Sequence, residues 1–200
     1  MEIERRAFEV EELRMVEGEE PEISGYAAVF NAASEDLGGF IEKITPGAFS
    51  KSIMKDDIRA LFNHDPNYVL GRNRSGTLSM EEDPKGLRIR VKVPNTQWAK
   101  DLVESIKRGD INQMSFGFRT IKDQWEKVEN RTVRTLLEVK LFDVSPVTYP
   151  AYPQTSAAVR SAFESFTAER QVAADRANEE ARAQVRIANR KRKLNLLDKF

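Results

Sequence analysis

Alternating apolar and polar residues between residue 23 and residue 153 predict a chain built mainly from short β-strands, whereas residues 1–20 are acidic and irregular. The segment ISGYAAVFN, residues 23–31, is typical of a strand, and the runs TLSM and LRIRVKV around EEDPKG, within 77–93, predict a β-hairpin. Apolar residues at helical spacing predict a helix over Thr96–Arg108, ended by Gly109. The Thr-Pro pair at 45–46 predicts the start of another helix. We expect a β-rich barrel with helices attached.

The character of the chain changes after Pro153. Residues 154–200 contain no glycine and no proline and are rich in alanine, glutamate and arginine. Small and apolar residues recur there at steps of three and four, which predicts one long, weakly amphipathic helix that ends in a basic run. We therefore expect a globular domain over 1–153 and a separable helical tail over 154–200.

Composition excludes several classes of site. Lysine plus arginine and aspartate plus glutamate are 32 each, so no overall charge favours nucleic acid or an anionic membrane. No apolar run is long enough to span a membrane, and the basic start lacks the apolar stretch of a signal peptide, which favours an intracellular protein. There is no cysteine, only one histidine, no phosphate-binding glycine motif and no spaced acidic cluster. We expect no metal and no cofactor, and His64 is the obvious acid–base candidate.

Ser115 lies in the run QMSFGF. On a strand, Met114 and Phe116 would face the core while Ser115 and Gly117 face the other way. A hydroxyl on a rigid strand beside a glycine suits a nucleophile, because the glycine leaves space for a substrate backbone. From this segment alone, an ordinary serine on a sheet surface is the commoner interpretation.

His64 is the second-last residue of the run IRALFNHD, residues 58–65. Every second residue of this predicted strand would share one face, and that set is Ile58, Ala60, Phe62 and His64. A single histidine is more often a structural hydrogen-bonding residue than a catalyst. Its position at the predicted end of a strand favours catalysis.

The carboxylate partner of the histidine is either Glu138 or Asp143. On the last predicted strand the odd positions are Leu137, Val139, Leu141 and Asp143. Glu138 falls on the other, solvated face. We favour Asp143, because a carboxylate on an apolar face needs a hydrogen-bond partner and an imidazole N–H can serve as one. A bulge near 145–146 would reverse this assignment of faces.

Five segments in order, GYAAVFN, ITPGAFSKSI, LFNHD, INQMSFGF and LFDVSPVTYPAYP, resemble the prohead proteases of tailed bacteriophages over residues 22–158. The resemblance implies the fold of that family and of herpesvirus assemblins, a small, mostly antiparallel β-barrel surrounded by helices. The family's histidine falls on His64, its serine on Ser115, and its acidic residue on Asp143, where glutamate is more usual. The second histidine and the paired arginines of assemblins have no counterpart here, which leaves the oxyanion hole unassigned.

The resemblance implies a serine endopeptidase inside the procapsid, assembled in the host cytoplasm. It would cleave scaffold segments and the major capsid protein, and itself. A homo-oligomer is one option for its oligomeric state, which the sequence leaves open. No nucleic acid and no membrane are expected as partners. The alternative is a non-catalytic assembly protein that keeps the barrel and binds scaffold or shell through the helical tail.

Overall fold

A computed structural model describes residues 3–9, 13–16, 21–149 and 157–197. The chain divides into two compact units, Met1–Ser156 and Ala157–Phe200. The strands of the described residues are β1 (Glu4–Glu9), β2 (Arg14–Val16), β3 (Glu22–Val29), β4 (Phe40–Ile44), β5 (Arg59–Phe62), β6 (Asp65–Arg72), β7 (Leu78–Glu82), β8 (Gly86–Lys92), β9 (Gln113–Val128) and β10 (Arg131–Val147). The helices are α1 (Ser50–Lys55), α2 (Gln97–Lys107) and α3 (Ala157–Leu197), and a 3-10 turn spans Asn73–Ser75.

The strands of the first unit form two sheets. One has the order β1-β9-β10-β5-β6, with β4 paired parallel to the first part of β10, and the other has the order β2-β3-β8-β7. Within the described residues the outer strands of each sheet do not pair with each other, so neither sheet closes. The prediction of a small barrel is therefore wrong, and the architecture is a strand-rich α+β fold with two open sheets.

The predicted hairpin and the predicted second helix are confirmed. β7 and β8 pair antiparallel, and the turn between them is held by Asp83, whose Oδ1 accepts the N–H groups of Lys85 (2.8 Å) and Gly86 (3.0 Å). Helix α2 is followed by Gly109 at φ +79°, a conformation that glycine adopts without strain.

The first helix begins later than the sequence predicts. The chain turns at 46–49, with Gly47 at φ +91°, and α1 starts only at Ser50. Glu82 of β7 satisfies the start of this helix, because its carboxylate accepts the Phe49 N–H at 2.9 Å and the Ser50 hydroxyl. Because this cap comes from a strand that is distant in sequence, the residues around the helix do not indicate where it begins.

The core lies between the two sheets and is built largely on the long β9–β10 hairpin. Phe116 of β9 packs on Phe49 with ring centroids 5.4 Å apart and on Phe118 at 4.8 Å. The buried residues of this core include Ile23, Phe49, Ile89, Met114, Phe116, Phe118, Leu141 and Val144. The apolar side chains in the first part of β9 thus pack in the core. The side chains at the alternate positions there must therefore lie on the opposite face of the strand.

A cluster of buried charges joins β1, β4 and β10. Arg134 Nη1 lies 2.8 Å from Glu4 Oε2 and 2.9 Å from Glu42 Oε2, and Arg6 contacts both of these carboxylates. All four residues are buried. Burial raises the pKa of Glu4, but the hydrogen bonds and charges of Arg134, with smaller contributions from Thr120 and Arg6, outweigh it and lower that pKa overall.

The second unit is a single helix, α3, with 41 residues. It confirms the predicted long helix. Among the described residues, no helix has both the length and the apolar character needed to cross a membrane.

Candidate active site

His64 lies in a two-residue turn and not on a strand. Strand β5 ends at Phe62, which pairs with Asp65, and Asn63 and His64 have φ values of +53° and +58°. Positive φ at both central residues is the geometry of the tightest β-hairpin turns. The prediction that His64 shares a strand face with Ile58 is therefore wrong, because the strand ends two residues before the histidine.

The turn is tied to the end of β10. The Asn63 N–H donates to the carbonyl of Pro146 at 3.0 Å, and Asn63 Oδ1 accepts the Thr148 N–H at 2.9 Å. A non-glycine residue at positive φ persists only where its surroundings hold it there. The two hydrogen bonds of Asn63 hold the turn in this conformation, and they place the imidazole of His64 next to the β9–β10 hairpin.

The imidazole of His64 contacts both Ser115 and Asp143. Its Nε2 lies 2.7 Å from Ser115 Oγ, and its Nδ1 lies 2.5 Å from Asp143 Oδ1. The His64 side chain is 6% exposed, Asp143 is 8% exposed and Ser115 is 0% exposed. The three residues named by the sequence are thus in one continuous chain of hydrogen bonds, shielded from water.

Ser115 has the orientation that the sequence predicts. Met114, Phe116 and Phe118 are fully buried in the core, and Ser115 and Gly117 face the other side of β9. The expected role of Gly117 is wrong, however. A Cβ at Gly117 would overlap Oδ2 of Asp143, so the missing side chain makes room for the carboxylate and not for a substrate.

Asp143 reaches this face through a β-bulge. Leu141 pairs with Phe118 and Asp143 pairs with Gly117, so Phe142 is an extra residue on β10. Side chains of directly paired residues lie on the same face of a sheet, which puts Leu141 in the core and Asp143 beside Ser115. The alternation that placed both on one apolar face is wrong, and the bulge lies at 142 rather than near 145–146.

Glu138, the other candidate carboxylate, lies elsewhere. Its Oε2 is 2.6 Å from Lys51 Nζ in a pair whose lysine is exposed. Two further register shifts, one on each side of Glu138, interrupt the regular pairing of β10 with β9 there as well. Of the two candidate carboxylates, Asp143 is the one that contacts the imidazole of His64.

Arg72 and Arg119 carry guanidinium groups of the kind that can stabilise an oxyanion, but both have other neighbours. Arg72 forms a bidentate pair with Asp57, with Nε 2.7 Å from Oδ1, and this pairing lowers the pKa of Asp57 to about 2. The guanidinium of Arg119 lies 6.0 Å from the centre of the Phe142 ring. Neither contact involves Ser115.

Two further polar side chains occupy the same face as Ser115. Ser145 pairs with Ser115 across the hairpin, and its hydroxyl donates to Asp143 Oδ1 at 2.7 Å. The side-chain oxygen of Gln113 is buried and has no hydrogen-bond partner in the described part of the chain. Sequence reasoning missed both, although each lies two residues from a predicted site residue and hence on the same strand face.

A family profile, a curated relative and a solved structure relate this chain to capsid-associated proteases. The profile of the caudovirus prohead serine protease family matches residues 7–169. The prohead protease of Enterobacteria phage HK97 is 28% identical over 170 residues, covering 83% of this chain and 72% of that protein. The structure of the bacteriophage T4 capsid assembly protease superposes with a TM-score of 0.52 at 12% identity, covering 74% of this chain and 98% of that one, which shows a similar fold. Because the family profile extends over most of the sequence, this chain belongs to the caudovirus prohead serine protease family.

Proposed function

We propose that this protein is a serine endopeptidase that cleaves scaffold segments and the major capsid protein inside the procapsid, and also cleaves itself. Ser115 acts as nucleophile, His64 as general base and acid, and Asp143 as the carboxylate that orients the imidazole. The observation that carries the proposal is the hydrogen-bonded series Ser115–His64–Asp143, which uses the only histidine of the chain.

The proposed chemistry depends on which nitrogen of the His64 ring contacts Asp143 and which contacts Ser115. Asp143 Oδ1 accepts the Nδ1–H of His64, which leaves Nε2 as an acceptor for the Ser115 hydroxyl. As Oγ attacks the scissile carbonyl, its proton passes to Nε2, and the Asp143 carboxylate stabilises the resulting imidazolium. Nε2 then gives that proton to the leaving amine as the C–N bond breaks, and water hydrolyses the acyl-enzyme by the same two transfers.

Access of the substrate requires a change in the residues around the nucleophile. Ser115 is fully buried, so a peptide can reach Oγ only after neighbouring side chains or backbone move. The unpaired oxygen of Gln113 lies on the same face and is an acceptor suited to a peptide N–H. A protease packaged with its substrates is well served by a nucleophile that is shielded until assembly, because premature cleavage would destroy the scaffold.

Co-expression with the major capsid protein and its scaffold segment tests this function. We expect mass spectrometry of the assembled particles to show defined cuts with the wild-type chain. Ser115→Ala and His64→Ala should each abolish those cuts while unfolding within a few degrees of the wild type. Ser79→Ala, at an exposed position on β7, is the matched control and should process normally.

The alternative of a non-catalytic assembly protein makes the opposite prediction. In that case wild type and Ser115→Ala would yield particles with identical, uncut proteins, and no fragment of the chain itself would appear on a gel. Normal processing by the Ser115→Ala or His64→Ala variant would contradict the proposed catalytic roles.

A further inference from the structure

Ser145 is a buried hydroxyl with two contacts at the site. It is 0% exposed, its Oγ donates to Asp143 Oδ1 at 2.7 Å, and the same Oγ lies 3.4 Å from His64 Nδ1. Ser115 lies on the opposite side of the ring, at Nε2. Asp143 Oδ1 therefore receives two donors, one from the imidazole and one from Ser145.

We propose that Ser145 is a positioning residue that holds the Asp143 carboxylate against His64. The torsion that turns an aspartate carboxylate about its Cβ–Cγ bond is broad, so the strand backbone alone does not orient its oxygens. The Ser145 hydroxyl fixes one oxygen, and the close approach to Gly117 limits where the other can go. With the carboxylate fixed, the imidazole keeps the tautomer in which Nε2 faces Ser115.

The same geometry excludes Ser145 as a second nucleophile. The nitrogen nearest to it, Nδ1, is the one that carries the proton donated to Asp143, so it cannot accept a proton from Ser145. Ser115 and Ser145 face each other across the β9–β10 hairpin. Ser115 contacts Nε2 of His64 and Ser145 lies near Nδ1, so the two serines have different roles.

A purely structural role is the competing explanation, in which a buried hydroxyl simply takes the nearest acceptor. The two explanations differ in which quantity changes on mutation. A structural role affects the free energy of unfolding, whereas a positioning role lowers kcat and depends on Asp143. This inference rests on the proposed function, so its test includes one measurement that needs no catalytic activity.

The kinetic test uses a synthetic peptide that spans a cut site mapped by mass spectrometry with the wild-type enzyme. We expect Ser145→Ala to lower kcat about tenfold with KM within about twofold, because a hydrogen bond to a charged group is lost. Ser145→Thr keeps the hydroxyl and should recover most of the rate. In an Asp143→Asn background, Ser145→Ala should cost less than about twofold, since the group through which it acts is already altered.

The second test follows the only imidazole of the chain by NMR in an inactive Ser115→Ala background. Because there is one histidine, its Nδ1–H signal is assigned without ambiguity. We expect Ser145→Ala to speed exchange of this proton with water several-fold, since the carboxylate that shields it turns more freely. Unchanged exchange together with unchanged kcat would overturn the proposal, as would a tenfold loss of kcat that persists in the Asp143→Asn background. Absence of any wild-type cleavage would instead contradict the proposed function and leave the exchange measurement to decide the role of Ser145.

Discussion

Three side chains from three separate segments meet at the candidate site, with the imidazole of His64 between the other two. The turn that carries His64 is anchored by Asn63, strand β9 with Ser115 is anchored by its apolar face, and Asp143 is brought to the site by the extra residue at Phe142. Each of these anchors is a backbone or core feature and not a contact of the reacting groups. The fold therefore sets the relative positions of these three side chains without help from a substrate.

The identity of the acid is tested by a pair of amide substitutions. Asp143→Asn should lower kcat on the cut-site peptide by roughly 10³–10⁴, because an amide can present its N–H to Nδ1 and stabilise the wrong tautomer. Glu138→Gln, the matched control, should stay within about twofold, because Glu138 contacts Lys51 and not the imidazole. Equal losses in the two variants would contradict the assignment of Asp143.

Among the elements, β1 is held beside β9 by backbone hydrogen bonds and is also tied to the sheet by ion pairs. It pairs with β9 so that Ala7 lies opposite Ser115, and it contributes Glu4 and Arg6 to the buried charge cluster. A buried ion cluster is costly when one member is lost, since the remaining charges stay desolvated. The attachment of this edge strand therefore depends on keeping Glu4 ionised.

The pH dependence of stability tests this attachment. The folded-state pKa of Glu4 is below its ordinary value of 4.5, so its contribution is present above about pH 4.5 and is lost as the pH falls through the lowered value. We expect Glu4→Gln to reduce the free energy of unfolding at pH 7 by about 3 kcal/mol and to flatten its fall below pH 4.5. Denaturant unfolding from pH 3 to pH 7 measures both effects.

Glu81→Gln is the control for that measurement, because Glu81 is exposed on β7. It should change the unfolding free energy by less than about 0.5 kcal/mol at every pH. A Glu4→Gln variant that loses stability below pH 4.5 as steeply as the wild type would show that another carboxylate governs the acid response.

At the scale of the whole molecule, the chain consists of a two-sheet unit and a helical unit. Of the α3 side chains that the structure describes, Val159 is buried, whereas Val172, Val185 and Ile187 are each more than half exposed. A helix with exposed apolar side chains of this size draws little of its stability from packing. We therefore propose that α3 is separable from the protease domain.

Truncation after Ser156 tests this separation. The shortened chain should fold with a Tm within about 5 °C of the full chain and should cut the same peptide, because the two sheets and the residues of the candidate site are all retained. Circular dichroism melting and the peptide assay measure the two outcomes. A truncated chain that fails to fold would show that the helix belongs to the core.

The sequence by itself determined which residue types are available for catalysis and which segments have the periodicity of a strand or a helix. One histidine and no cysteine left His64 as the base candidate, the alternation in QMSFGF oriented Ser115, and the composition after Pro153 marked the long helix. The orientation of Ser115 and the long helix are confirmed, because they depend on the two- and 3.6-residue periods of strands and helices.

The tertiary structure alone decided how the site is assembled and whether the sheets close. The turn at His64, the bulge at Phe142, the neighbour of Gly117 and the cap from Glu82 all arise from contacts between segments distant in the chain. A bulge or a positive φ is selected by the partner strand that it must fit, so a local pattern carries no signal of it. Asp143 was thus correctly placed beside the imidazole although the alternation used to place it was wrong.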